Sequence, residues 1–146
     1  MVVTANTKEQ LNAMIRLMYQ GARVKPSEDL TMIGWVNQSD KKLVMVVGFD
    51  SPVGKTCRIH VSMADGFNFT PRAMLKAVFS YAFDLAGCEM LIGIVNSNNE
   101  RALKYDLHLG FEESIRFPGV HDDGGDIVVL TMKRSQCKYL DIKEAA

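Results

Sequence analysis

The chain of 146 residues is long enough for one domain with a sizeable core and too short for two ordinary ones. Hydrophobic residues make up 47% of it and charged residues 23%, a balance that excludes a disordered or fibrous chain. Lysine plus arginine equals aspartate plus glutamate at 17 each, so no net field draws the chain to nucleic acid or to a membrane surface.

Cys57, Cys88 and Cys137 are an odd number with no paired spacing, and the N-terminus shows no basic flank ahead of an apolar signal core. Together these imply a reducing, cytoplasmic setting. No apolar run approaches the roughly 20 residues of a membrane span. The nine methionines fall mostly at apolar positions of predicted elements and read as adaptable core filler.

Residues 1–5, MVVTA, suit a short strand. Thr7 and Gln10 then form a capping box, each side chain satisfying an orphan amide of the other's backbone, and a helix is predicted over 8–21. Leu11, Met14, Ile15 and Met18 follow at helical spacing, and the pattern dissolves at Gly21 and Pro26. Three apolar runs, LTMIGWV, LVMVVGF and TCRIHVSM, occupy residues 30–63, separated by the turn-rich NQSDKK and DSPVGK. Connections this short imply an antiparallel meander.

In DGFNFTP, Thr70 is the predicted N-cap and Pro71 the first residue of a long helix that Gly87 stops after Ala86. Arg72, Lys76, Ser80 and Asp84 recur every four residues with apolar side chains between them, so only a narrow stripe meets water. The strand EMLIGIV after it is apolar on both faces, as an interior parallel strand would be, and completes a strand, helix, strand crossover. A second helix runs from about Asn99 to Leu109 with Gly110 as its left-handed stop. Two strands, FEESIRF and IVVLTMKR, come next, joined by the loop PGVHDDGGD, and the tail from residue 134 adds at most one helical turn. The order gives an α+β chain with one parallel crossover inside a mostly antiparallel sheet flanked by helices.

The segment FTPRAMLKAVFSYAFDLAGCEMLIGIVNSNNERALKYDLHLGF, with this element order, resembles the GNAT superfamily of acetyl-CoA-dependent N-acetyltransferases over residues 28–133. Asn99-x-x-Ala102 followed by Leu109-Gly110-Phe111 matches the superfamily's signature in spacing, and SYAF with the late Asp126 is most similar to the branch that acetylates protein N-terminal amines. The resemblance implies a GNAT fold whose sheet splays at a central parallel strand pair, here residues 56–63 and 90–95. It also implies acetyl-CoA as co-substrate, no metal, direct transfer of the acetyl group, and a small-molecule or peptide amine as acceptor. Val61, Ser62 and Met63 would bind the thioester arm through backbone. Phe67, Asn68, Phe69, Thr70 and Arg72 would surround the pyrophosphate, where the start of the long helix offers unpaired N–H groups and the positive end of its dipole. Asn99 and Tyr105 would line the arm, with Ala102 beside them.

The sequence departs from the superfamily's pattern at several of these positions. The usual loop is Q/R-x-x-G-x-G/A, and here Asp65 holds the first position while Asn68 and Thr70 hold the two small ones. Pro71 brings no amide donor. Many relatives carry a tyrosine seven residues after the asparagine to protonate the leaving thiolate; here that position is Asp106, and Tyr105 lies about 100° away around the helix. Some relatives carry a proton-relaying glutamate where this chain has Ile94. These departures leave two readings open, a working acetyltransferase with Tyr105 as acid, or a catalytically degenerate GNAT-fold binding or assembly module.

His60 is the base candidate, because imidazole titrates near neutral pH and its strand borders the wedge; the competing reading is a packed strand histidine. His108 ends a helix, where its charged form complements the dipole. Asn99 either touches cofactor or caps its helix. HDDGGD, residues 121–126, carries three carboxylates without the spacing of a twelve-residue calcium loop, and reads as a solvated turn that helps shape a cationic acceptor's site. Exposed edge strands leave room for a homodimer.

Overall fold

Thr7 and Gln10 exchange the two bonds of the capping box, with Gln10 N–H donating to Thr7 Oγ1 and Thr7 N–H to Gln10 Oε1, each at 3.1 Å, and α1 (Lys8–Gly21) starts there. The computed structural model describes residues 1–21, 30–67 and 69–143, so Pro26 and Asn68 lie outside the described residues. Strands β1 (Val2–Val3), β2 (Thr31–Val36), β3 (Leu43–Val53), β4 (Thr56–Met63), β5 (Met90–Asn96), β6 (Glu112–Phe117) and β7 (Ile127–Lys133) form one sheet in the order β1-β2-β3-β4-β5-β7-β6. All neighbours are antiparallel except β4 and β5.

β3 runs to Val53, beyond the turn expected at Asp50. Asp50 stays in register with Arg58, and the irregularity falls between Asp50 and Val53, where Ser51 takes a φ of 52°. Side-chain bonds from Asp50 to Arg58 and His60 on β4 hold the strand in place up to that point.

Helix α2 (Arg72–Ser80) begins one residue later than its sequence suggests. Pro71 is the N-cap, its carbonyl accepting from Met74 and Leu75, and Thr70 stands outside the helix with its hydroxyl engaged elsewhere. The first-turn amides of Arg72 and Ala73 therefore lie ahead of the hydrogen-bonded ladder, and the proline removes neither. At Tyr81–Leu85 the helix widens into a π turn closed by Ala86 N–H on the Tyr81 carbonyl at 2.7 Å. The extra residue in that turn changes the rotation of the helix's last residues, and Leu85, inward-facing by α-helical spacing, is 79% exposed.

α2 and α3 (Glu100–Leu109) cover one face of the sheet, where Met74, Val78, Phe79, Leu91, Leu109, Val128, Leu130 and Met132 form the main core. Phe79 stacks on Tyr139, ring centroids 4.9 Å apart, which ties residues after β7 to this core. On the other face α1 lies over β2, β3 and β4, Met14 and Met18 packing on Met32 of β2 and Val46 of β3. Cys57 and Cys88 meet at the base of the parallel pair with their sulfurs 3.2 Å apart. Burial and the neighbouring thiol push Cys57 up to about 12, so it stays an uncharged packing group. Among the described residues no helix is long and apolar enough to cross a membrane.

Candidate active site

Strands β4 and β5 pair only at Thr56 with Met90, Cys57 with Leu91 and Arg58 with Ile92. Beyond that point β4 stays with β3 as far as Met63 and β5 stays with β7 as far as Asn96, so the sheet opens between them. The backbone groups facing this splay follow from the alternation of strand amides. Ala64 N–H bonds the Val44 carbonyl on β3, which turns the amides of Val61 and Met63 away from β3 and into the splay. Ser97 N–H bonds the Asp126 carbonyl beside β7, which turns those of Ile94 and Asn96 into it from the other side. Ser62 faces elsewhere, its hydroxyl donating to the Leu17 carbonyl of α1 at 2.7 Å.

On the helix side of the splay, Tyr105 reaches in from α3 and shares a 2.7 Å hydrogen bond with the Thr70 hydroxyl. Val61, Met74, Val78, Tyr105 and Leu109 surround a cavity of only about 10 Å³ there. Burial, with the nearby Asp106 charge, raises the Tyr105 phenol to about 12, so it is a neutral donor at any working pH. Asp106 sits next to it on α3, and burial raises its carboxyl to about 7. Asn99 caps α3, its side-chain carbonyl accepting from Ala102 N–H at 3.2 Å, and Gly110 at φ 115° ends the helix. Phe67 accepts a bond from Arg101 through its carbonyl, Phe69 is 66% exposed, and Arg72 lies exposed at the start of α2. Thr70 and Tyr105 thus meet between the two helices, Phe67 is tied to Arg101 of α3, and Asn99 and Ala102 are bonded to each other at the start of α3.

His60 lies on the α1 face. Its Nε2–H donates to Asp50 Oδ1 at 2.8 Å, and Arg58 Nε donates to the same oxygen at 3.3 Å. Asp50 is only 7% exposed; burial alone would push its carboxyl up, but the bonds and charges of His60 and Arg58 outweigh that and hold it below its ordinary value. Continuing the register from Arg58 and Ile92 sets His60 across the splay from Ile94. Asp50 and Arg58 escaped the sequence reading because their partnership with His60 depends on the β3–β4 register, although a tight turn at DSPVGK was a signal that could have paired them.

The acidic loop is tied into the fold. Asp123 accepts from Asn96 and Gly125, while Asp126 accepts from Gly119 and Arg116, placing the loop beside the end of β5. His108 is exposed in the last turn of α3. A larger surface cleft of about 640 Å³ lies at the far end of the sheet, between the start of β5 and the end of β7, and none of the candidate residues lines it.

No family model matches the sequence. A stretch of 66 residues is 26% identical to an uncharacterised N-acetyltransferase of Methanocaldococcus jannaschii; it covers 45% of this chain, and the match spans 42% of that relative's length. A chimera of the spermidine N-acetyltransferase SpeG from Vibrio cholerae and hSSAT superposes with a TM-score of 0.74 at 14% identity, covering 97% of this chain and 99% of its own. The Vibrio cholerae spermidine N-acetyltransferase in complex with CoA and spermine superposes with a TM-score of 0.73 at 12% identity, over 97% and 98% of the two chains. The chain therefore has the GNAT-like fold, a mixed sheet of seven strands that carries the parallel pair β4–β5 and flanking helices.

Proposed function

We propose that the chain is an acetyl-CoA-dependent N-acetyltransferase that moves the acetyl group to a primary amine by direct attack. The observation that carries this reading is the splay, whose unpaired amides from Val61, Met63, Ile94 and Asn96 match a ligand that is itself a chain of amides ending in a thioester. The amides of Arg72 and Ala73 at the start of α2 suit the pyrophosphate, with Phe67, Phe69 and Arg72 around them, and Asn99 and Ala102 border the arm. Asn68, also expected there, lies outside the described residues.

In the reaction the neutral amine nitrogen bonds to the thioester carbonyl carbon and the carbon–sulfur bond breaks. His60, with Nε2 held by Asp50, takes the amine proton on Nδ1. Tyr105, on the opposite face of the sheet, gives its phenolic proton to the departing thiolate. The two residues stand on the two sides of the splay, as a base meeting the amine and an acid meeting the sulfur should.

A second reading, a binding module without turnover, is favoured by the Thr70–Tyr105 hydrogen bond, which closes the small cavity that a pantetheine arm must enlarge. Tyr105→Phe separates the two. Loss of a general acid predicts kcat lowered about 100-fold with KM for acetyl-CoA little changed. An unchanged kcat removes Tyr105 from the mechanism.

A further inference from the structure

The acceptor side of the splay has a chemistry of its own. α2 and α3 fill the other face, so an amine reaches the splay from the face that α1 covers over β2, β3 and β4. Over β5, β7 and β6 that face has no covering element among the described residues. Strand pairing lays Ile94 beside Val129 and Val129 beside Ile115, a continuous apolar row running from the splay to the sheet edge. A second row places Phe117 beside Ile127. Ile94 and Ile115 are each 51% exposed, Phe117 47% and Val120, in the loop beyond, 59%. Isolated exposed apolar residues are ordinary, but three on adjacent rows of one sheet face are not.

Most of the charge around these rows is already committed, and Glu112 is the exposed carboxylate of the neighbouring row. Asp50 is bound by His60 and Arg58, Asp123 by Asn96, and Asp126 and Glu113 by Arg116. Glu112 lies a row further from the splay mouth, beside Thr131, and Asp122 is out on the loop. A ligand reaching outward from His60 thus crosses the opened splay to Ile94 and then Val129, with Ile115 about 10 Å beyond Ile94 at two strand spacings. A second ammonium seated on the row itself would rest on apolar side chains and meet no carboxylate within the row.

We propose that the acceptor is a primary amine on an apolar body, an alkyl or arylalkyl amine, seated on this half of the sheet with its nitrogen at His60, and not a polyamine. The inference rests on the acetyltransferase reading, and its occupant is argued from the continuity of the row with the splay and from the absence of a free charge along it among the described residues. The amine loses a proton, its nitrogen gains the acetyl carbon, and the thiol of CoA leaves, while the apolar body only positions the nitrogen.

The test compares kcat/KM for n-alkylamines from ethylamine to hexylamine and for 2-phenylethylamine with putrescine and spermidine, at saturating acetyl-CoA. Each added methylene is expected to raise kcat/KM about threefold to fourfold, and 2-phenylethylamine to exceed spermidine by about tenfold or more. Ile94→Ser, at the half-exposed start of the row, should lower the value for hexylamine and 2-phenylethylamine severalfold and that for ethylamine less. A flat alkyl series with spermidine preferred overturns this acceptor and leaves the acetyltransferase reading standing. No amine-dependent release of CoA, with the protein still stabilised by acetyl-CoA, overturns both. Sedimentation supplies the remaining arm: a dimer that Ile115→Ser dissociates, with amine preference unchanged, means that a second copy covers the face and overturns the inference.

Discussion

The Gly93→Phe chain is expected to unfold at the same temperature with and without acetyl-CoA. The register places Gly93 beside Ile59, the first positions at which β4 and β5 are no longer paired, so Gly93 forms the vertex of the splay on the helix side. A methyl group there would meet only Leu130 Cβ at 3.9 Å and Ile59 Cγ2 at 4.0 Å, ordinary contacts, and Gly93→Ala should therefore fold and bind as the native chain does. A phenyl ring at the same point stands on the helix side above the vertex, where the cavity is only about 10 Å³, and blocks an acetyl thioester that would enter there. For the native chain, ligand at about 100 times its dissociation constant adds about 2.7 kcal/mol. For a domain near this size that is roughly 5 to 10 °C of midpoint. Thermal unfolding of the native, Gly93→Ala and Gly93→Phe chains reads the effect directly. A full shift retained by Gly93→Phe would place acetyl-CoA somewhere other than the splay.

Asp106→Asn is expected to stabilise the protein strongly above neutral pH and hardly at all near pH 4. Burial raises the Asp106 carboxyl from an ordinary 3.8 to about 7, and no cation or hydrogen-bond donor among the described residues compensates its charge. A carboxyl raised on folding binds its proton more tightly in the folded state. Stability is therefore highest below the unfolded value, falls as pH climbs from about 4 towards 7, and stays low above that. At about 1.36 kcal/mol per unit, a shift of this size sets an upper bound on the order of 4 kcal/mol, which the partial exposure of Asp106 reduces. Asparagine keeps the shape without the titration, so chemical denaturation of the two chains should diverge by about 2 to 4 kcal/mol at pH 8 and converge at pH 4. Parallel curves across that range would mean that water or a counter-charge reaches the carboxylate.

Local rules account for what was legible in advance. The Thr7–Gln10 box, the Asn99 cap and the Gly110 stop each depend on a few neighbouring residues, and the helices begin or end there as read. The apolar alternation of β2, β3 and β4, with their short turns, led to the meander, and the buried helix after β4 led to the parallel crossover. The start of α2 was misread by one residue, since a threonine before a proline looks like a cap until its hydroxyl finds Tyr105. The narrow water-facing stripe fails at the end of the long helix, where Leu85 is exposed, because α-helical spacing does not anticipate a π turn. EMLIGIV reads as buried on both faces, yet Ile94 is half exposed, because how far α1 extends across the sheet is a matter of tertiary packing. The Asp50–His60–Arg58 cluster was hidden for a related reason: it needs the strand register, and the sequence shows only a histidine in a strand.

Release of CoA thiol from acetyl-CoA, monitored with and without added primary amine, tests the proposed activity most directly. Acetyl transfer requires a rate that rises and saturates with amine concentration, depends on His60 and Tyr105, and yields one acetylated amine for each thiol released. A rate that is the same with and without alkyl, arylalkyl, polyamine and peptide N-terminal amines, in a protein that acetyl-CoA still stabilises against heat, would contradict catalysis and leave the GNAT-like fold serving as a binding module.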